Sequence, residues 1–257
     1  MPNLPKLFVS LVLMPLSAFA APPSLNFCFE DVLQRPWTKP DGTGLNIVLL
    51  QRVARQLGEH FTYSAKPWSR CQEEVRNGTS DGVFGVSDTS ERRQYSVYPT
   101  LPDGKSDPEE ALYEDRFDVY LRIGGRASWN SMTLSSPERP IIAQRDYYVA
   151  ALLRDRGYNV VEYAKSAEDG LRFLSHGMAD AAVLQGVEAQ SLAARDPRFS
   201  ANVKRVEPSY LILPLYLAVG RGVYEHDPKR IKAIWTAIRE VRASAQYRRV
   251  QNSAGIH

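Results

Sequence analysis

Asp81-Gly-Val-Phe-Gly-Val-Ser-Asp-Thr-Ser-Glu-Arg92, running on to Tyr98-Pro99, carries the densest structural signal in the chain. The apolar run from Gly82 to Val86 reads as a short buried strand, and Ser87, Asp88 and Thr89 follow it as hydroxyl and helix-cap residues. A short helix is predicted there, with Asp88 at the cap and Glu91 at the third helical position, so backbone N–H groups and hydroxyls converge at a strand end. Arg92 adds a guanidinium one turn on, a group that makes paired bonds to carboxylates. These donors suit a small carboxylate. An ordinary capped helix beside a solvated arginine is the alternative reading of the same residues.

Upstream, strand and helix signals alternate. Leu25 to Phe29 predicts a first strand, and a Pro/Gly-rich loop follows from Pro36 to Gly44. Leu45, Val48, Leu49, Val53 and Leu57 then share one face of a helix that Gly58 ends. Phe61 to Ser64 reads as a second strand and Ser69 to Asn77 as a second helix, opened by a Ser69/Gln72 capping-box pair and stopped by Gly78. Three strands separated by helices argue for an α/β fold with a parallel sheet, whose functional loops lie at the strand C-termini.

Downstream, the polar segment Thr100 to Pro108 contains two prolines that break any regular element, and a linker or hinge is expected there. A second alternating series follows: Phe117 to Ile123, Ile141 to Ala143, a helix from Asp146 to Arg156, Val160 to Tyr163, a helix from Ser166 to His176, and Ala181 to Leu184. Ser166 and Asp169 form a further capping box. A strand from Leu211 to Val219 and an amphipathic helix from Pro228, carrying Ile231, Ile234, Trp235 and Ile238, complete the chain. The pattern is that of two α/β units.

Met1 to Ala20 reads as a cleavable export signal: Lys6, an apolar stretch from Leu7 to Leu16, and a small-x-small ending at Ala18-Phe19-Ala20. In an exported chain Cys28 and Cys71, at the same end of neighbouring predicted elements, invite a disulfide; two buried free thiols are the alternative. A net charge of +3 over 257 residues, with no basic stripe, gives nucleic-acid binding no support. His60, His176, His226 and His257 are scattered without ligand spacing, so no metal and no cofactor are expected.

The order of export signal, strand, Gly44-Leu45 helix, Pro67-Trp68 corner, Asn77-Gly-Thr-Ser-Asp81 turn, Thr-Ser-Glu-Arg92 and Tyr98-Pro99 resembles the polar amino-acid-type periplasmic solute-binding proteins, family 3. The resemblance extends to His176-Gly-Met-Ala-Asp180-Ala-Ala-Val and to the C-terminal strand and helices. It implies a two-lobe periplasmic-binding-protein type II fold with the ligand cleft between lobes: residues 21–112 and 208–257 in one lobe, 113–207 in the other. It further implies that Arg92 pairs with a ligand carboxylate and that Ser87 adds hydrogen bonds, with Thr89 a further candidate. Trp37 and Trp68 are candidates for the cleft wall or for core packing, and Asp31 and Arg70 for loop-end contacts. Two departures stand out in the second lobe. Gln185 aligns where amino-acid binders carry an aspartate for the ligand's ammonium, and Arg145-Asp146-Tyr147 replaces a Gly-Thr segment at a helix start, with Asp146 expected as the helix cap. The first departure tilts the expected ligand toward carboxylates without an amino group, and Arg145 becomes a candidate partner for a second acidic group.

What the resemblance implies is a monomeric binding protein without catalysis, delivering a small polar or carboxylate-bearing solute to an inner-membrane ABC permease. Two other classes stay open on the same fold: an exported cyclohexadienyl dehydratase-like enzyme, with Asp31 or Glu30 as general acid, and a sensor that presents its closed form to a membrane receptor.

Overall fold

The computed structural model describes residues 23–256; the export signal read at Met1 to Ala20 lies outside them. In chain order the elements are β1 (Leu25–Glu30), α1 (Leu45–Leu57), β2 (Phe61–Lys66), α2 (Trp68–Arg76), β3 (Gly82–Val86), β4 (Ser96–Val97), β5 (Tyr113–Arg122), β6 (Ser128–Trp129) and β7 (Leu134–Ser135). There follow β8 (Ile141–Gln144), α3 (Tyr148–Asp155), β9 (Val160–Ala164), α4 (Ala167–Ser175), β10 (Ala181–Gln185), α5 (Gly186–Arg195), α6 (Pro197–Ser200), β11 (Val203–Gly220), α7 (Arg221–His226), α8 (Pro228–Ala243) and α9 (Ala245–Ser253).

The main sheet runs β2-β1-β3-β11-β5-β10-β8-β9, with β4 on the side of β11. Its two ends are parallel, β1 with β2 and β3, and β8 with β9 and β10, as βαβ units require. Its middle is antiparallel, β3 with β11, β11 with β5, and β5 with β10. The two strands β5 and β11 therefore carry the chain between an N-terminal and a second α/β half. At about 3.3 Å per residue, β11 with its 18 residues would extend roughly 60 Å, long enough to serve both halves.

The α1 helix buries most of the face that the sequence marks, with Val48 half-buried and Leu57, in its last turn, exposed. In α1, Leu45, Ile47, Leu49, Leu50 and Val53 are buried, and Gly58 closes the helix in a left-handed conformation with its N–H on Ala54 O. The C-terminal helices return to this half: Trp235 donates to Leu217 O at 2.9 Å and Tyr247 donates to Leu45 O at 3.0 Å, both inside one apolar cluster with α1. A separate cluster of Leu171, Leu174, Leu184, Ala189 and Phe199 fills the space under α4 and α5 in the second half. Cys28 and Cys71 are bridged, with Cα atoms 5.7 Å apart, so β1 and α2 are covalently joined.

Several local expectations are corrected. The second helix starts at Trp68 with Pro67 at its cap, which puts Ser69 inside the first turn, and no Ser69/Gln72 capping box forms. In place of the expected helix, β3 and β4 are joined through a 3-10 turn, Arg92–Gln94, with Glu91 at its cap, and Thr89 Oγ1 accepts from Arg92 N at 3.2 Å. Asp88 is drawn instead to the guanidinium of Arg93, at 2.5 Å. Asp146 is not a helix cap either: its φ is +59°, a left-handed conformation that aspartate tolerates, and α3 begins two residues later behind Tyr147. The last strand starts at Val203 rather than Leu211, because pairing of Val203–Val206 with Val119–Arg122 recruits Lys204 and Arg205 into the ladder. Pro208 falls in the register shift between Val206 and Leu211, where no ladder N–H is needed.

Candidate functional site

The C-terminal ends of β1 and β3 face the second half across a cleft, as the strand order of an open α/β sheet dictates. The cavity there is lined by Phe29, Glu30, Gln34, Thr38, Trp68, Phe84, Gly85, Ser87, Arg92, Phe117, Tyr147, Tyr148, Gln185 and Leu215. Residues from both halves contribute, and the halves meet so closely that the cavity measures about 20 Å³, room for one water molecule.

Arg92 is one of its charged lining residues. It is 6% exposed, lies over the Trp68 ring at 5.4 Å, and donates from Nη1 to Ser87 Oγ at 2.6 Å and to Ser87 O at 3.2 Å. Its Nε donates to Gln72 Oε1 at 3.1 Å and its Nη2 crosses the cleft to Asp146 O at 3.1 Å. Every one of these acceptors is neutral. Trp68 Nε1 donates to the same Asp146 carbonyl at 3.2 Å.

Glu30 lines the same cavity from the end of β1. Tyr147 of the opposite half donates its hydroxyl to Glu30 Oε2, and Gln34 Nε2 donates both to that oxygen and to Tyr147 Oη, each at 2.8 Å. Burial pushes the Glu30 carboxyl up to about 8, against the lowering effect of the Tyr147 bond, and burial likewise pushes the Tyr147 phenol upward. The apolar part of the lining is Phe29, stacked on Phe84 with centroids 5.0 Å apart, with Phe117 and Leu215 from β5 and β11. Gly85 has φ +76°, and a Cβ there would stand 3.5 Å from Tyr113 Oη, so the backbone itself forms part of this wall.

A side chamber of about 10 Å³ adjoins it through Gln34 and Gln185. Gln185 Nε2 donates to Asp115 Oδ2 at 3.0 Å, and Arg116 N donates to Asp115 Oδ1 at 2.9 Å. Burial pushes the Asp115 carboxyl up to about 6. Two ion pairs bridge the halves beside the chamber, Arg35 with Glu188 and Asp31 with Lys165, each at 3.0 Å.

Of the residues singled out in the sequence, Arg92, Ser87, Trp68, Tyr147, Gln185 and Glu30 thus share the cavity. Thr89 lies in an outer groove with Arg92 and Asp146, and Trp37 lies in the side chamber, stacked on Tyr113 at 4.0 Å. Asp31 is engaged by Lys165. Arg70 points outward onto Glu74 at 2.8 Å, and Arg145 is exposed and donates to Glu162 O at 3.5 Å. Neither arginine lines the cavity. Gln34, Thr38, Phe84, Phe117, Tyr148 and Asp115 carry no motif that marks them; Glu30 has one legible signal, an acidic residue ending an otherwise apolar strand. Among the described residues no cluster of His, Cys, Asp and Glu can hold a metal ion, and no helix is long and apolar enough to cross a membrane.

No family model matches the sequence, and no curated protein is similar to it. Solved structures are similar. A histidine kinase sensor domain with similarity to periplasmic binding proteins superposes with a TM-score of 0.72 at 18% identity, over 90% of this chain and 95% of that one. An ancestral arginine-binding protein bound to arginine gives 0.69 at 18% identity, over 91% and 99%. The substrate-binding protein of an amino acid ABC transporter gives 0.66 at 16% identity, over 90% and 98%. The chain has their fold, the two-lobe periplasmic-binding-protein type II architecture.

Proposed function

We propose that this protein is a periplasmic solute-binding protein, exported by a cleavable signal at Met1 to Ala20, that captures a small polar or carboxylate-bearing solute for an inner-membrane ABC importer without transforming it. The lobes in this reading are residues 21–112 with 208–257, and 113–207, closing about the paired strands β5 and β11. Arg92 is the carboxylate anchor, Ser87 its partner, and Trp68, Tyr147 and Gln185 the surrounding wall.

One observation carries the reading: Arg92 is a buried guanidinium whose acceptors are all neutral. Removing a charge from water costs several kcal/mol, which neutral hydrogen bonds offset only in part, whereas a carboxylate takes two parallel N–H bonds and cancels the charge. The Asp146 carbonyl holds the position that a ligand oxygen would take, so opening and closing exchange one acceptor for a better one.

A thermal-shift screen of the mature protein against mono- and dicarboxylates, amino acids, amines and aromatic acids tests this. A ligand at one hundred times its Kd adds about 2.7 kcal/mol, or roughly 5–10 °C for a chain of this size. The proposal predicts shifts confined to carboxylate-bearing compounds; shifts with amines alone, or with no compound, contradict it. The likeness to a kinase sensor domain supports a second reading, in which the closed form engages a membrane receptor. Co-purification of the ligand-loaded protein with a permease or with a receptor separates the two.

A further inference from the structure

Resting on the solute-binding reading, we infer that the Asp146–Tyr147 turn of the second half is a built-in competitor for the cleft. It holds the polar groups that a solute would use, latches the two halves together, and sets the apparent affinity of whatever displaces it. Four polar side chains of the first half end on these two residues. The Asp146 carbonyl accepts from Arg92 Nη2 at 3.1 Å and from Trp68 Nε1 at 3.2 Å. The Tyr147 hydroxyl donates to Glu30 Oε2 and accepts from Gln34 Nε2 at 2.8 Å. Tyr147 is only 7% exposed, and the cavity left beside the turn measures about 20 Å³.

The turn is braced from its own half. Arg145 N donates to Ala164 O at 2.9 Å, Asp146 N to Glu162 Oε2 at 2.6 Å, and Tyr147 N to Gln144 O at 3.3 Å. Glu162 is held in turn by Arg154. The backbone donors of the turn are thus satisfied within the second half, while the Asp146 carbonyl and the Tyr147 hydroxyl bond to the first. Asp146 has a φ of +59°, one of two non-glycine residues with positive φ among the described residues. A backbone persists in that region when the contacts around it demand it.

A latch of this kind lowers apparent affinity by the fraction of molecules in which the cleft is free. It also discriminates. A hydrogen bond from a guanidinium to a carboxylate is roughly twice as strong as one between neutral groups, so a carboxylate displaces the Asp146 carbonyl from Arg92 where a neutral solute does not.

Indole N–H exchange, followed by NMR on the full mature protein without added solute, tests this. Trp68 Nε1 bonds across the cleft, whereas Trp235 Nε1 bonds to Leu217 O inside the first half and reports on unfolding of that half. Tyr147→Phe removes the hydroxyl, and Glu162→Ala removes the brace on Asp146 N. Each should speed Trp68 exchange by about tenfold, the equivalent of one lost buried hydrogen bond, with Trp235 unchanged. Acetate and succinate, titrated through the Trp68 signal, should bind Tyr147→Phe more tightly than the wild type. Three results overturn the inference: unchanged Trp68 exchange in a variant whose Trp235 stays protected, loss of Trp235 protection in both variants, or weaker binding of the two acids by Tyr147→Phe. If neither acid moves the Trp68 signal in either protein, the carboxylate reading loses support and the exchange rates still decide on the latch.

Discussion

Reducing or deleting the Cys28–Cys71 bridge should loosen the wall of the cleft as well as the fold. The bridge closes a sequence separation of 43 residues, for which the chain-entropy estimate gives about 4 kcal/mol at 25 °C. For a chain of this size each kcal/mol moves the midpoint by roughly 2–4 °C, so Tm should fall by roughly 8–16 °C. Both sulfurs are fully buried among Trp68, Val75, Val83 and Tyr98, so the Cys28→Ala/Cys71→Ala double variant leaves a small void and should lie at the upper end of that range. The consequence for function runs through α2, which the bridge pins to β1 and whose first residue, Trp68, lies under the Arg92 guanidinium. Circular-dichroism melts of the mature chain, oxidised, reduced and doubly substituted, measure the first effect. Midpoints within about 2 °C of one another would refute the loop-closure reasoning.

Because the native state holds a proton on Glu30 that the unfolded chain has released, stability should fall as pH rises from about 4.5 to about 8 and level off above; Glu30→Gln should flatten that slope in urea titrations across the window. Arg205→Leu should cost about 3 kcal/mol, since it strands the fully buried Asp118 carboxylate that Arg205 Nε meets at 2.7 Å. Arg198→Ala, which breaks the more exposed pair with Asp196, should cost far less than Arg205→Leu; a comparable loss in both would remove burial as the explanation. Gly44→Ala should destabilise sharply, because φ is +126° and the new Cβ would lie 2.4 Å from Trp37 O; an unchanged melting midpoint would contradict that close approach.

The periodic parts of the fold were legible because they depend on neighbours in sequence. The Leu45, Leu49 and Val53 part of the α1 face, the Gly58 stop and the Ser166/Asp169 capping box form as their patterns require, while Leu57 in the last turn of α1 is exposed. The start of β11 was not, since Lys204 and Arg205 join a strand only through pairing with β5, a contact over 80 residues away that no local pattern carries. Asp88 failed as a cap because Arg93 offers its carboxylate a full charge where the helix start offers a fraction of one. The cleft divides the same way. Arg92 and Ser87 sit in one short segment and are readable together, whereas Glu30, Gln34 and Tyr147 meet only across the two halves of the fold, 113 residues separating Gln34 from Tyr147. Arg70 and Arg145 have the right residue type, but α2 and the turn before α3 direct them to Glu74 and to Glu162 O.

On the proposed function, the buried Arg92 guanidinium holds a ligand carboxylate between the lobes. Titration calorimetry of Arg92→Ala against the wild type, with the carboxylate that gives the largest thermal shift, tests it most directly. Losing a charge-assisted paired contact worth about 3–5 kcal/mol predicts an affinity weakened by roughly 10²–10⁴-fold, with the unliganded melting midpoint retained. Undiminished affinity in the folded variant would contradict the claim.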